Sequence, residues 1–246
     1  MDESYGSIAK RIDHALLSPT LTDAEMDAGC RLAARYGVAS VCIKPHAVAL
    51  AAELLRGTGV EVGTTIGFPH GGQATEVKLF EAQRAIFSGA TELDMVVNIG
   101  QVRSCHWDDV QTEIAVIANH AHDHGAIIKV IFENCYLDQA QIARLCKICG
   151  EVKADYAKTS TGFGTGGATI EDLELMKRSI PDPVKLKAAG GIRDLDALLR
   201  MVELGCDRVG LSQTAAVLDE FARRLGLHPI GAQEAISGVD GLGDSY

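Results

Sequence analysis

The sequence predicts an α/β fold and, within that class, a single (β/α)8 barrel. Three observations lead to this prediction: the length of 246 residues, the alternation of short β-branched runs with longer helical patterns, and a count of eight such runs. Eight strands, each followed by a helix, describe a closed parallel barrel. An open doubly wound sheet is the alternative, but its dinucleotide-binding form carries Gly-x-Gly-x-x-Gly after the first strand, and none occurs there.

Each predicted element has its own signal in the chain. The predicted strands are short apolar or β-branched runs at residues 12–16, 40–44, 60–66, 92–97, 127–133, 156–161, 184–189 and 206–211. The predicted helices have helical spacing of apolar residues and cover residues 22–36, 46–56, 74–88, 107–123, 138–149, 169–179, 194–204 and 213–225. Several of them begin at residues that cap helices, namely Thr22, Asp138, Thr169 and Asp194. We therefore predict a barrel domain over residues 1–225 and a flexible, Gly-rich C-terminal tail over residues 226–246.

Composition excludes several classes of protein. The chain is 47% hydrophobic and 23% charged, which is typical of a folded domain rather than a disordered one. Its net charge of −10 argues against a nucleic-acid partner. No apolar run approaches the roughly 20 residues of a membrane span, and the first residues lack the apolar stretch of a secretory signal. We therefore expect a soluble cytoplasmic protein with no membrane partner, and leave self-association open.

The seven cysteines are predicted to be free thiols. Their number is odd, and their spacing does not form a disulfide framework, so a reducing compartment is favoured. Cys146 and Cys149 match C-x-x-C, but they lie inside a helical pattern and no second pair accompanies them. A redox or zinc role for this pair is therefore not favoured.

Four of the predicted strands carry an ionisable residue amid apolar neighbours. These residues are Asp94, Lys129, Lys158 and the pair Lys185 and Lys187. Side chains alternate along a strand, so the two members of the pair share one face, either inside the barrel or toward the helices. A single lysine in a strand commonly just extends its ammonium group to water. Lysines on three neighbouring parallel strands are harder to explain in this way, because such strands are normally apolar.

Lys158 and Lys187, on neighbouring strands, suit amine chemistry. A lysine is nucleophilic only when uncharged, and its usual pKa of about 10.4 keeps it protonated at neutral pH. A second ammonium group about 5 Å away, at an effective dielectric near 20, costs roughly 3 kcal/mol, or about 2 pKa units, and burial acts in the same direction. Asp94 is interpreted as a proton shuttle or as a counter-ion to the lysines, and the two roles are compatible.

Glycine-rich loops follow the last three predicted strands. In barrels of this kind, backbone N–H groups of such loops commonly bind phosphate. The candidate phosphate-binding residues are Thr161, Gly162, Gly190, Gly191, Gly210 and Ser212. Simple turns are the alternative interpretation of these glycines.

Three motifs give the chain a family resemblance. They are Ala157-Lys158-Thr159-Ser160-Thr161-Gly162-Phe163, the run from Val184 to Arg193 that contains Lys187 and Gly190-Gly191, and the run from Glu92 to Gly100 that contains Asp94. With these motifs in this order, the sequence resembles the deoxyribose-phosphate aldolase family, class I aldolases that act through a Schiff base. The resemblance extends from Ile12-Asp13-His14 to the last residue.

The resemblance implies an activity and a set of roles. The activity is the reversible cleavage of 2-deoxy-D-ribose 5-phosphate to acetaldehyde and D-glyceraldehyde 3-phosphate, in deoxyribonucleotide and carbohydrate degradation, with no metal or other cofactor. By the resemblance, Lys158 forms the Schiff base, Lys187 lowers its pKa, and Asp94 transfers protons. Cys42 would lie near the site, and Tyr246 would assist proton exchange at the methyl carbon of the enamine. Lys129 is also placed near the site, because it is one of the lysines in the apolar strands.

Two positions depart from the family pattern. Ala15 stands where the family usually has threonine, and Gln213 stands where it often has a second serine. The first departure affects recognition of the sugar hydroxyls, and the second affects binding of the phosphate.

Two other functions stay open from the sequence. A metal-dependent sugar-phosphate aldolase is suggested by the cluster His120, His122 and His124, although this cluster is predicted at the end of a helix before strand 5, on the rim opposite the expected site. A barrel that binds a sugar phosphate without turning it over would use the same glycine loops, but it would have no use for a lysine of lowered pKa.

Overall fold

Eight parallel strands close into a barrel in the computed structural model, which describes residues 4–231. The strands are β1 (Ile12–Leu16), β2 (Ser40–Ile43), β3 (Glu61–Ile66), β4 (Glu92–Val96), β5 (Ile127–Ile131), β6 (Tyr156–Lys158), β7 (Lys185–Ala189) and β8 (Arg208–Leu211). Each strand pairs with its neighbours in sequence, and β8 pairs with β1, where Asp13 lies opposite Gly210. The predicted (β/α)8 barrel and all eight of its strands are confirmed.

Helices surround the barrel. They are α1 (Tyr5–Ala9), α2 (Asp23–Tyr36), α3 (Val48–Leu54), α4 (Thr75–Phe87), α5 (Ile99–Arg103), α6 (Trp107–Asp123), α7 (Gln139–Glu151), α8 (Ile170–Ser179), α9 (Leu195–Glu203) and α10 (Thr214–Arg224). All four predicted caps are confirmed: Thr22 and Asp138 form capping boxes with Glu25 and Gln141, and the side chains of Thr169 and Asp194 accept backbone hydrogen bonds.

Several elements and element boundaries differ from the prediction. Helices α1 and α5 were not predicted, because five residues are too few to show a helical period. Strand β6 ends at Lys158 rather than at residue 161, because the N–H of Thr161 donates to the Glu133 side chain instead of to a neighbouring strand. At the start of the predicted helix 46–56, a 3-10 turn at Pro45–Ala47 precedes α3.

Strand alternation separates an apolar layer from a charged one. Leu93 and Met95 of β4 belong to the hydrophobic core between strands and helices. Glu92 and Asp94, on the other face of the same strand, contact Lys129 of β5. The apolar core therefore lies around the barrel, and the charged side chains lie within it.

The first residues of the predicted tail return to the barrel. Helix α10 ends at Arg224, and the N–H of Gly231 donates to Asp219 of that helix, 3.3 Å away, while Ile230 packs against the core. Residues 232–246, including Tyr246, lie outside the described residues, so the tail and its boundary stay predictions. Within residues 4–231, no helix combines the length and the apolar character needed to cross a bilayer.

Candidate active site

The two predicted lysines meet at one carboxylate oxygen. Lys158, the last residue of β6, lies beside Lys187 of β7 in the strand register. The Nζ of Lys158 lies 2.6 Å from Oδ2 of Asp94, and the Nζ of Lys187 lies 2.7 Å from the same oxygen. All three side chains are buried. The arrangement therefore brings two amines and one carboxylate from three strands into direct contact.

The electrostatics of the two lysines differ. Burial lowers the pKa of Lys158, and the charge of Lys187 adds to this effect, while Asp94 opposes it. Burial also acts on Lys187, but Asp13 and Asp94 outweigh it and raise the pKa of Lys187 above its usual value. Lys187 therefore stays protonated under conditions in which Lys158 can lose its proton.

Asp94 is ionised although it is fully buried. Burial alone would raise its pKa, but the ammonium groups of Lys129, Lys158 and Lys187 hold the pKa well below its usual range. The Nζ of Lys129 lies 3.0 Å from Oδ1 of Asp94. Asp94 thus acts as a common anion for three lysines.

Three charged residues of the barrel interior were missed by the sequence analysis as site residues. Asp13 contacts Nζ of Lys187 at 2.5 Å and Nζ of Lys129 at 3.1 Å, and it also accepts a hydrogen bond from Arg208. Glu92 accepts hydrogen bonds from Lys129 at 2.5 Å and from Arg208 at 2.8 Å. A broader rule, any ionisable residue inside a predicted strand, would have found all three, because they lie on β1, β4 and β8.

These seven side chains form one cluster, which we call the interior charge cluster. Its members are Asp13, Glu92, Asp94, Lys129, Lys158, Lys187 and Arg208. Lysine and arginine contribute four of its members and carboxylates contribute three. The cluster is electrically balanced when one of the lysines is uncharged.

A cavity of about 380 Å³ opens at the carboxyl ends of the strands, above this cluster. It is lined by both lysines, by Cys42 and by every predicted phosphate-loop residue: Lys158, Lys187, Cys42, Thr161, Gly162, Gly190, Gly191, Gly210 and Ser212. Its lining does not include Asp94 or Lys129, which are completely buried. The predicted lysines and loops therefore share one cavity.

Glycine is required in two of the loops. Gly190 has a φ of +86°, and a Cβ at Gly167 would lie 2.3 Å from the carbonyl oxygen of Gly190. Larger residues at these positions would force the loops after β6 and β7 apart. The glycines thus let these two loops pack directly against each other at the cavity wall.

Thr161 is held by a residue that the sequence analysis missed. Its N–H donates to Oε1 of Glu133 at 3.1 Å, and its hydroxyl donates to the other carboxylate oxygen. The N–H of Phe163 in turn donates to the Thr161 hydroxyl at 2.9 Å. Glu133 is buried and has a φ of +58°, which is uncommon outside glycine. Thr161 therefore lines the cavity with its donors already engaged.

Cys42 lies close to the cluster as a neutral thiol. Its Sγ lies 3.9 Å from Oδ2 of Asp94. Burial and the charge of Asp94 raise the pKa of this thiol to about 11. The thiol is therefore protonated at neutral pH.

The histidine cluster lies away from the cavity. His120 and His122 are in the last turn of α6, and His124 follows it, at the end that leads into β5. Nε2 of His122 pairs with Asp155 at 2.9 Å, and the rings of His120 and His124 contact each other. Within residues 4–231, no group of three or more His, Cys, Asp or Glu residues has an arrangement able to hold a metal ion.

A family model described as DeoC/LacD family aldolase matches residues 7–212. The chain belongs to this aldolase family. A deoxyribose-phosphate aldolase of Rhodopirellula baltica is 53% identical over 229 residues, which cover 93% of this chain and 95% of the relative. One of Caldanaerobacter subterraneus is 44% identical and covers 91% of this chain and 97% of its own. The tetrameric deoxyribose-phosphate aldolase of Aeropyrum pernix superposes with a TM-score of 0.83 at 34% identity, covering 89% and 92% of the two chains.

The two departures from the family pattern both line the cavity. Ala15 lies beside Cys42 in the strand register, and its methyl group offers no hydrogen bond. Gln213 directly precedes α10 and does not cap that helix through its side chain. The neighbouring His14 instead contacts the Thr214 hydroxyl through Nδ1 at 2.8 Å. In this member of the aldolase family, positions 15 and 213 thus carry a methyl group and a longer amide.

We predict that Asp13→Asn lowers stability in a pH-dependent way. Burial would raise the pKa of Asp13, but Lys129, Lys187 and Arg208 outweigh it and hold the pKa far below its usual range. The stabilisation from this charge is therefore complete above about pH 4 and decreases as the pH falls. Removing one partner of a buried ion pair costs about 3–5 kcal/mol, so thermal unfolding should show a large deficit for the variant at pH 7.

The difference in stability between the variant and the wild type should become smaller near pH 3, because the stabilisation from the wild-type carboxylate has begun to decrease there. Glu53→Gln, which changes an exposed carboxylate on α3, is the matched control and should show no such deficit. A deficit of equal size at both pH values would contradict the prediction.

Proposed function

We propose that this chain is a class I aldolase, a lyase that reversibly cleaves 2-deoxy-D-ribose 5-phosphate to acetaldehyde and D-glyceraldehyde 3-phosphate through a Schiff base on Lys158. The observation that carries the proposal is Lys158 itself, a buried amine of lowered pKa that opens onto a cavity beside Lys187 and Asp94. A cavity of about 380 Å³ suits a small phosphorylated sugar. The names of the relatives at 53% and 44% identity support this choice of substrate.

In the proposed reaction, the uncharged Nζ of Lys158 attacks C1 of the open-chain sugar, and loss of water gives the imine. The C3 hydroxyl then loses its proton, and the bond between C2 and C3 breaks. Its electrons move to the protonated imine, glyceraldehyde 3-phosphate leaves, and a neutral enamine remains on Lys158. Protonation at C2 and addition of water release acetaldehyde and restore the free amine.

Two neighbouring groups support these steps. Oδ2 of Asp94 lies 2.6 Å from Nζ of Lys158, within range to accept and return protons as the amine changes its bonding. Lys187, 2.7 Å from the same oxygen, keeps its charge and so disfavours a second charge on Lys158. Proton transfer by Asp94 and lowering of the pKa of Lys158 by Lys187 are thus the roles that we propose for them.

The phosphate of the substrate is proposed to bind at the loops after β7 and β8. Gly190, Gly191, Gly210 and Ser212 line the cavity there. The left-handed φ angles of Gly190 and Gly191, +86° and +79°, let the backbone approach an anion closely. Gly162 lines the facing wall, and we propose that Thr161, held by Glu133, positions this loop rather than donating to the phosphate.

The proposed enzyme acts in the cytoplasm, in deoxyribonucleotide and carbohydrate degradation. All seven cysteines lie within residues 4–231 and none is in a disulfide, which suits a reducing compartment. The substrate partners are phosphorylated sugars and aldehydes, and a negative net charge does not favour nucleic acid. The proposed chemistry on Lys158 needs no metal or organic cofactor.

Self-association is also proposed. Phe80 and Phe87 of α4 are 61% and 81% exposed, and the family includes a tetrameric aldolase from Aeropyrum pernix. Apolar side chains as exposed as these are typical of a contact surface when they lie together. Light scattering of the purified chain should give the mass of an oligomer, and Phe80→Glu with Phe87→Glu should reduce it. A monomer at micromolar concentration would contradict this proposal.

The Schiff base is tested by reductive trapping. Borohydride added with acetaldehyde should leave one ethyl group on the protein, in the peptide that carries Lys158, and treatment with a metal chelator should not reduce the yield. Lys158→Met should abolish the adduct. Lys185→Met is the matched control, because Lys185 is an exposed lysine at the start of β7, and this variant should keep the adduct. An adduct on Lys187, or no adduct at all, would contradict the assignment.

The phosphate site is tested by Ser212→Asp. A like charge about 5 Å from the phosphate costs on the order of 1–3 kcal/mol, so KM for the phosphorylated sugar should rise roughly tenfold or more. Cleavage of unphosphorylated 2-deoxyribose should change little. Ser104→Asp, on the exposed C-terminal end of α5, is the control and should alter neither reaction. Equal loss on both substrates would argue against phosphate binding at this loop.

A further inference from the structure

The amino-terminal end of the barrel interior is closed by an ion-paired arginine. Arg208 is the first residue of β8, and its side chain is only 14% exposed. One terminal nitrogen of its guanidinium group donates to Asp13, and the other donates to Oε1 of Glu92 at 2.8 Å. Neither Arg208 nor Glu92 is among the residues that line the cavity. Both residues therefore lie outside the cavity lining but in direct contact with the buried charges beneath the cavity.

Unbroken contacts connect this end to Lys158. Glu92 holds Nζ of Lys129 at 2.5 Å, and Lys129 contacts Asp94 at 3.0 Å. Asp13 holds Nζ of Lys187 at 2.5 Å, and Lys187 also contacts Asp94. Asp94 then contacts Lys158. Two parallel routes of ion pairs thus lead from Arg208 and Glu92 to the proposed nucleophile.

The balance of charges in the cluster bears on the protonation of Lys158. With every group ionised, the interior charge cluster would hold four cations and three anions, almost all of them out of contact with water. An excess charge is expensive in such surroundings. Lys158 and Lys187 both line the cavity, but Lys158 contacts one carboxylate, whereas Lys187 contacts two. An uncharged Lys158 therefore leaves three cations facing three anions.

The other titratable groups that face the cluster are neutral or exposed. From β2, Cys42 faces Lys158 and Asp94, and the pKa of its thiol is raised to about 11 by burial. From β6, the Tyr156 ring lies 6.0 Å from the guanidinium group of Arg208, and burial raises the pKa of this phenol. Lys185 lies over the same ring at the exposed start of β7. These groups do not change the balance at neutral pH.

We propose that Arg208 and Glu92 are positioning residues for the reaction, which fix the charge of the barrel interior through Asp13 and Lys129 and so keep the Lys158 amine uncharged and nucleophilic. The proposal rests on the proposed function, in which Lys158 forms the Schiff base. It assigns an electrostatic role to residues at the end of the barrel opposite the cavity.

The proposal predicts shifts of opposite sign. Arg208→Met removes a positive charge and leaves the cluster negative, so protonation of Lys158 becomes easier and the acid limb of the kcat/KM profile moves to higher pH. Glu92→Gln removes a negative charge and moves the limb to lower pH. Each shift should be about one pH unit, as expected for a unit charge on the order of 10 Å away at an effective dielectric near 20. The double variant keeps the balance, and its profile should return toward that of the wild type.

The experiment measures kcat/KM and the rate of borohydride trapping with acetaldehyde, both against pH, for the wild type and these three variants. Arg208→Lys keeps the charge and should keep the wild-type profile, and it also tests the proposal if Arg208→Met does not fold. Arg200→Met, which removes an exposed arginine on α9, is the control for loss of a distant positive charge and should leave the profile unchanged.

The outcomes separate this inference from the proposed function. If the wild type gives no adduct on Lys158, the proposed function itself is wrong. If the wild type gives that adduct, and both single variants lose activity without moving the pH profile, Arg208 and Glu92 are merely structural and the inference is overturned. Opposite shifts that cancel in the double variant support it.

Discussion

The structure depends on balancing buried charge inside a closed barrel. Seven charged side chains occupy an interior that the parallel strands would ordinarily fill with apolar groups. These groups stabilise one another only while the numbers of positive and negative charges are nearly equal. When every group is ionised, four cations face three carboxylates, so one positive charge is in excess. Burial and the excess of positive charge therefore both act to lower the pKa of Lys158, one of the two lysines that line the cavity.

The side chains that stabilise the fold and those that form the charge cluster lie on opposite faces of the same strands. In β4, Leu93 and Met95 pack outward against the helices, whereas Glu92 and Asp94 point into the charge cluster. The register between β6 and β7 then sets Lys158 beside Lys187. The apolar layer holds the strands in this register, so the buried charges meet without any flexible segment having to position them. Loops rich in glycine complete the site where the strands end.

The barrel and the site lysines could be predicted from the sequence. The contacts between residues that are far apart in the chain could not. The alternation of short β-branched runs with helical patterns, and the count of eight such runs, predicted every strand, and the lysines of β5, β6 and β7 were conspicuous in apolar runs. Arg208 and Asp13 are 195 positions apart, and only closure of β8 onto β1 brings them together. Glu133 holds Thr161 through a left-handed backbone conformation that no local pattern indicates. The helices α1 and α5 are too short to show a period.

The most direct test of the account is the pKa of Lys158, measured by NMR titration of isotopically labelled lysine side chains in the wild type and in Lys187→Met. The assignment would come from Lys158→Met, which removes the corresponding signal. Lys158 should titrate below the usual lysine value of about 10.4, and loss of the Lys187 charge should raise its pKa by about 2 units. A Lys158 that titrates at or above its usual value, or that does not respond to Lys187→Met, would contradict the account.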